Sequence, residues 1–257
     1  MSRRSLLSRS AVITGAALAA SLPIPRALAA PGPASRVLVN PAYRKGSYRV
    51  PPHLRDALRR AKTRQKRVMT GQVSRNGWPT ERAADAGGSV FTRPVPGVPL
   101  AGVAVRMGDT ETVLVHVVRR FHYEIDTLRS GDVVGWRSPS AVRASRSESN
   151  QASGTAVRIR PDHYPPGAKG GFYPLQVMVI RDILAELEGV VRWGGDDRTV
   201  DESLFYLDVP PGSPLLTGVA RKIWTWGDHP GQGAGSPVDV MSPSRRRAAD
   251  ALAARRR

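Results

Sequence analysis

Apolar positions recur along this chain at two spacings, three-to-four and two, and each predicts its own kind of element. In "PHLRDALRRAKTRQKRVMT", residues 52–70, Leu54, Leu58 and Ala61 fall at helical spacing and predict a basic helix with a modest apolar face. A loop carrying "NGWPT" and "DAGG" follows. "PLAGVAVRM" alternates as a strand does, and Gly108-Asp109 then announces a helix with Asp109 as its N-cap. That helix carries one apolar stripe: Val113, Leu114, Val117, Val118 and Phe121. "GDVVGW" reads as a short strand. In "SGTAVRIR", Val157 and Ile159 face one way and Ala156, Arg158 and Arg160 the other.

"YPLQVMVIRDILAELEG" is the clearest helix. Pro174 suits its first turn, Ile180, Ile183, Leu184 and Leu187 form the stripe, and Gly189 suits the C-terminal cap. "VVRW" and "SLFYLDV" predict strands on either side of the loop "GGDDRTVDE". In the second, Leu204, Tyr206 and Asp208 share a face opposite Phe205, Leu207 and Val209. "PLLTGVARKIW" predicts a short closing helix. Beyond Trp226 a Gly/Pro-rich run and an arginine tail predict disorder over 227–257. The order of elements indicates an α+β fold, an antiparallel sheet flanked by helices.

Composition adds a compartment. Residues 1–29 start with basic residues, continue through a short run rich in Ala and Gly, and end at Ala27-Leu28-Ala29, the pattern of a cleavable export signal. Arg3-Arg4 followed by Leu6-Leu7 resembles the twin-arginine type, with an ordinary secretory signal as the alternative. The run is too short to span a bilayer, so no transmembrane segment is expected and the protein is exported, extracellular or held at the wall. Residues 30–52 read as a linker and 53–226 as the folded domain. The absence of cysteine suits an exported chain without disulfides and excludes thiolate metal sites and cysteine nucleophiles. The formal charge is +18, and removing the leader with its four arginines leaves +14. Such a charge favours polyanions. No aromatic stripe interleaves the arginines, so no specific nucleic-acid partner is expected.

Residue types alone supply no catalytic set. Of the five histidines, His116 and His122 are six apart, about 120° round a helix, and make poor co-ligands. His163 sits in the proline-rich loop "RPDHYPPG" beside Asp162. No nucleophilic-serine motif is present. "GGDDRTVDE" could supply paired carboxylates or be a solvated turn.

Several pieces occur in an order that resembles a known family: "NGWP", "VLVHVVRRFHYEIDTLRSGDVVGW", "SNQASGTAVRI", "ILAELEGVVRWGGDD" and "DESLFYLDV". From about Thr70 to Trp226 the chain is similar to the zinc D-alanyl-D-alanine carboxypeptidase-like peptidases of the VanY and VanX type. The resemblance implies a Hedgehog/DD-peptidase-like fold. The family's core motif is S-x-H-x-x-G-x-A-x-D, followed downstream by D/E-x-x-H. Ser149, Gly154 and Ala156 match the frame, and Asp201 matches the catalytic carboxylate. Gln151, Arg158 and Leu204 stand where the metal ligands are expected.

Amide, guanidinium and alkyl groups cannot form a zinc shell, so the resemblance implies no metal, no cofactor and a leaning towards no catalysis. Arg158 puts a fixed cation where the family has an anion. It either pairs with Asp201 in a closed cleft or offers its fork to the carboxylate of a wall peptide. Gln151 and Arg158 are expected to face that cleft, with Arg158, Trp193 and Tyr206 as ligand-binding candidates. The reading is thus of an exported, non-catalytic, cell-wall protein that binds peptidoglycan peptides. The alternatives are an active peptidase with a relocated site built from Asp196, Asp197, Asp201 and His163, and a basic binder of anionic, teichoic-acid-like wall polymers.

Overall fold

The structure, a computed structural model, describes residues 50–229 and 231–256. The expected leader and nearly all of the expected linker lie outside the described residues. Five α-helices and eight strands follow one another from Pro52 to Arg255. Helix α1 (Pro52–Val68) leads directly into strand β1 (Met69–Val73), which pairs with β2 (Pro79–Glu81). "NGWP" is therefore the tip of a hairpin, and Met69 and Thr70 belong to a strand and not to the helix. Strands β3 (Val90–Arg93) and β4 (Val103–Arg106) form a second antiparallel pair.

Helix α2 (Asp109–Glu124) starts one residue earlier than its acidic signal suggests. Gly108, at φ 88°, makes the cap turn, and Asp109 already lies in the first helical turn. The Asp109 carboxylate instead accepts a 2.7 Å hydrogen bond from Thr217 Oγ1. The principal sheet has four antiparallel strands in the order β5 (Val133–Val134), β6 (Ala156–Ile159), β8 (Leu204–Leu207) and β7 (Val191–Trp193). The α+β expectation holds, with the antiparallel strands divided among three small sheets. Helix α3 (Pro174–Glu186) precedes β7, α4 (Pro214–Gly227) follows β8, and α5 (Pro243–Arg255) ends the described chain.

The two faces of β6 and β8 do different work. Val157, Ile159, Phe205 and Leu207 join Val113, Leu114, Val117, Val118 and Phe121 of α2 and Ile180, Ile183 and Leu184 of α3 in the main core. Ala156, Leu204 and Tyr206 form a second, smaller buried cluster on the other face. The alternation read from the sequence sorts these residues because successive strand side chains point to opposite faces. Gly189, at φ 80°, closes α3, its amide donating to Leu184 O. That conformation suits a residue without Cβ.

A charged knot crosses this core. Arg120 of α2 is 1% exposed, and it donates to Asp182 at 2.8 Å and also pairs with Glu124 and Glu186. His116, also buried, shares a 2.8 Å hydrogen bond between its Nε2 and Glu186 Oε2. Arg245 of α5 completes the knot, its Nε and Nη2 each 2.6 Å from an oxygen of Asp182.

The C-terminal segment is thus not a disordered tail. Arg245, Ala249, Leu252 and Arg256 recur at spacings of four, three and four, so α5 presents one face throughout. Ala249 and Leu252 are buried on it, while Arg256 donates to the carbonyls of Gly189 and Val191. Pairing by Asp182, Glu186 and those carbonyls is what orders an Ala/Arg-rich segment whose composition alone suggests none.

The knot has a pH signature. Burial alone would raise the Glu186 carboxyl, but the His116 hydrogen bond and the Arg120 and Arg245 guanidiniums bring it down to about 2. A carboxyl depressed on folding stabilises above its unfolded value, near 4.5, and that contribution fades as pH falls towards about 2. Chemical denaturation at pH 7 and pH 3 should show the wild-type chain losing more stability on acidification than Glu186→Gln. The substitution should cost about 3 kcal/mol at pH 7 and roughly half of that or less at pH 3. Equal pH slopes for the two proteins would contradict this account.

Candidate functional site

The site begins at the turn that joins two distant parts of the chain. Residues Ser147–Gln151 form a 3₁₀ turn before β6, and the tip of the β1–β2 hairpin locks into it. Arg75 N donates to Ser149 Oγ at 3.0 Å, and Asn76 N donates to Asn150 Oδ1 at 3.1 Å. The Asn76 amide donates to Thr155 Oγ1 and Leu207 O, each at 2.9 Å. Ser74 Oγ donates to Ser153 Oγ at 2.9 Å. Gly154, at φ 69°, has no room for a side chain: a Cβ there would lie 2.7 Å from the Arg106 backbone nitrogen. Ser149, Gly154 and Ala156 therefore belong to a rigid, buried frame.

Gln151 is buried but does not face the cleft. Its Nε2 donates to Val134 O at 3.1 Å and to Gly135 O at 2.7 Å, which fastens the turn to β5. Arg158 lies on the β6 face expected of it, and its fork is taken. Nε and Nη2 donate to Asp201 Oδ2 at 3.0 and 2.7 Å, and Nη2 also donates to Glu148 Oε2 at 2.9 Å. Asp201 is occupied at its other oxygen, accepting from Ser203 Oγ at 2.6 Å. Of the two roles open to Arg158, the geometry realises the internal pair and not the free ligand fork.

Glu148 is held from two sides. Burial would raise its carboxyl, but the Arg143 backbone amide and the Arg158 guanidinium hold it below the ordinary carboxylate range. Leu204 is buried against Ala156 and Tyr206.

Beside this clamp lies a cavity of about 320 Å³. Asp201 and Leu204 line it, but neither Gln151 nor Arg158 does. Its character comes from residues not singled out in the sequence: Arg75, Arg143, Arg146, Arg192 and Arg198. Arg143 pairs with Glu148 and Arg192 with Asp197. No carboxylate among the described residues lies within ion-pair distance of Arg75, Arg146 or Arg198. The cavity's carboxylates, in contrast, each have an internal donor. Asp197 accepts from Ser147 Oγ at 2.5 Å, from Tyr206 Oη at 2.8 Å and from Arg192 Nε at 3.1 Å. Burial first, and then Asp197, raise the Tyr206 phenol well above its ordinary range, so it stays protonated and donates. Tyr206 is a support for Asp197.

Trp193 is also structural. It is buried in the main core, its Nε1 donates to Glu202 O at 2.7 Å, and its ring meets Phe172 edge-on and lies under the Arg181 guanidinium.

Of the relocated set, Asp197 and Asp201 line the cavity, and Asp196 and His163 do not. Asp196 pairs with Arg181 of α3, Asp201 with Arg158, and Asp197 with Arg192, Ser147 and Tyr206. His163 is exposed, its Nε2 3.0 Å from Arg160 Nη2, and it is absent from the cavity lining. His122 Nδ1 accepts from Leu128 N at 2.9 Å, and His116 Nε2 is bound to Glu186 in the knot. Among the described residues no three His, Asp or Glu side chains are grouped to hold a metal ion. No helix of the described residues is long and apolar enough to cross a membrane.

No protein-family model, curated protein sequence or solved structure matches this chain. What the geometry defines is an α+β domain with a cation-lined cavity next to an internally ion-paired Arg–Asp–Glu cluster.

Removing one member of that cluster leaves a buried charge without its partner, which costs about 3–5 kcal/mol. Arg158→Leu should therefore lower the urea midpoint markedly, and Arg158→Leu combined with Asp201→Asn should recover part of the loss. A cost under about 1 kcal/mol for Arg158→Leu alone would mean that the pair is not closed in solution.

Proposed function

We propose that this chain is an exported, non-catalytic relative of the zinc D-alanyl-D-alanine carboxypeptidase-like peptidases, sharing their Hedgehog/DD-peptidase-like fold, and that it binds peptidoglycan stem peptides at the cell wall. One observation carries this reading. Arg158, with Arg143 on its Glu148 side, neutralises Asp201 and Glu148 at the position where the resemblance expects a metal centre, and the cavity alongside is lined by Arg75, Arg146 and Arg198.

Zinc chemistry needs nitrogen or carboxylate donors directed to one point. Here the Gln151 amide nitrogen is spent on the carbonyls of Val134 and Gly135, the Arg158 fork on two carboxylates, and Leu204 offers no donor, so no set of donors converges on one point. What remains is recognition. A volume of about 320 Å³ admits the end of a short peptide and not a long polymer segment. Guanidinium forks match a terminal carboxylate in geometry as well as in charge. Ser145 and Thr199 also line the cavity and can bond to peptide amides. The support from the sequence is the retained frame of Ser149, Gly154 and Ala156, followed by α3, β7 and β8 in the order the resemblance implies.

Isothermal titration of the full chain with a pentapeptide ending in D-Ala-D-Ala should show one site, with no D-alanine released. Arg75→Gln together with Arg198→Gln should weaken binding at least about tenfold, whereas Arg158→Lys should act mainly on stability. Release of D-alanine that is abolished by Asp201→Ala, or one tightly held zinc per chain by elemental analysis, would overturn the non-catalytic reading. Binding of a poly(glycerol phosphate) without binding of the pentapeptide would replace the peptide with an anionic wall polymer.

A further inference from the structure

Helix α1 plays no part in the cavity, and its surface calls for a separate explanation. Among its seventeen residues only Val68, at the end, is buried. Leu54 and Leu58, one turn apart, are 43% and 54% exposed. The helix carries seven cations, Arg55, Arg59, Arg60, Lys62, Arg64, Lys66 and Arg67, against one acid, and that acid, Asp56, is paired with Arg59 at 2.9 Å. A helix that buries so little of its surface among the described residues needs another reason for its pattern.

The pattern is ordered around the axis. At 100° per residue, Leu54, Leu58 and Ala61 lie within about 60° of one another. Arg55, Arg59, Lys62 and Lys66, at spacings of four, three and four, make a parallel stripe beside them. An apolar line bordered by a cationic line is the arrangement of a helix that lies in the plane of a bilayer surface.

We propose that α1 is a membrane-surface helix that docks on a bilayer rich in anionic lipid headgroups. Leu54 and Leu58 enter the headgroup layer, and the stripe Arg55, Arg59, Lys62 and Lys66 lies on the lipid phosphates. The exposed leucines decide between occupants. A water-borne polyanion would neutralise the cations and leave both leucines in water, whereas a lipid surface takes up both stripes. At seventeen residues the helix is about 25 Å long, enough to lie along a surface and far too polar to cross it. Because α1 passes without a break into β1, surface docking holds the hairpin and the domain behind it at the bilayer. This proposal is independent of what the cavity binds.

The test is co-sedimentation of the full chain with phosphatidylcholine vesicles, with and without about one-third phosphatidylglycerol. Two variants accompany it, one with Leu54→Gln and Leu58→Gln, the other with Arg55→Gln, Arg59→Gln, Lys62→Gln and Lys66→Gln. Glutamine keeps helix propensity, so each variant changes the surface and not the helix. Wild type should bind the phosphatidylglycerol vesicles at least about tenfold more tightly than phosphatidylcholine alone, and the preference should shrink in high salt. Each variant should lose at least about tenfold of the binding to the phosphatidylglycerol vesicles. Equal binding of all three proteins, or of both vesicle types, would overturn the proposal. A loss confined to the charge variant would also overturn it, showing a polyanion surface indifferent to the leucines.

Discussion

The fold depends on how Arg120 is neutralised. A guanidinium 1% exposed in the middle of α2 would be prohibitive without partners. Its partners come from its own helix, Glu124, and from α3, Asp182 and Glu186. Those two acids in turn need more cation than Arg120 supplies, and Arg245 of α5 provides it. Three helices are thereby placed relative to one another by shared ion pairs. The apolar contacts of Ile180, Ile183, Leu184 and Phe121 then close around the knot. Hydrophobic burial supplies most of the driving force, but it is indifferent to small rotations, and the knot is not.

The cluster at Arg158 follows the same logic on a smaller scale. One cation is shared by Asp201 and Glu148, and each of those acids has a further donor, Ser203 or the Arg143 amide. The frame that holds it is made of neutral hydrogen bonds between the hairpin tip and the turn at Ser149. Frame and filling are separable: Asn76, Ser149 and Gly154 set the shape, while the charges decide what that shape can hold.

How much of this was legible in the sequence follows from the range of each interaction. Val157, Ile159, Phe205 and Leu207 declared themselves because strand alternation is local, and the stripes of α2 and α3 did so for the same reason. The pairing of Arg158 with Asp201 was anticipated as one of two outcomes, and only because the resemblance aligned two segments over forty residues apart. Glu148 was overlooked as its second partner, though it stands three residues before Gln151. Arg75, Arg146 and Arg198 come from three separate stretches that topology alone brings to one cavity, so no spacing could have named them. Strand β3 was missed because "VFTR" is too short to show a period. Helix α5 was missed because its face is made of Arg245, Ala249, Leu252 and Arg256, a set that hydrophobic patterning does not score. The partners it needs lie on α3 and around Gly189.

The Arg158 clamp also bears on which other chemistry the cluster could take on. To turn this cluster into a metal centre, Arg158 would have to be exchanged for an acid. Arg158→Asp made first would bring together three carboxylates, at 148, 158 and 201, with only the exposed Arg143 on Glu148 to offset them. Installing histidine first, at Gln151, would strip Val134 and Gly135 of their donor while the arginine still filled the centre. Either of these steps, taken alone, therefore passes through a less stable protein before any metal could bind. The domain stands in a local optimum with walls on all sides, and a change of chemistry there would have to arrive as several substitutions together.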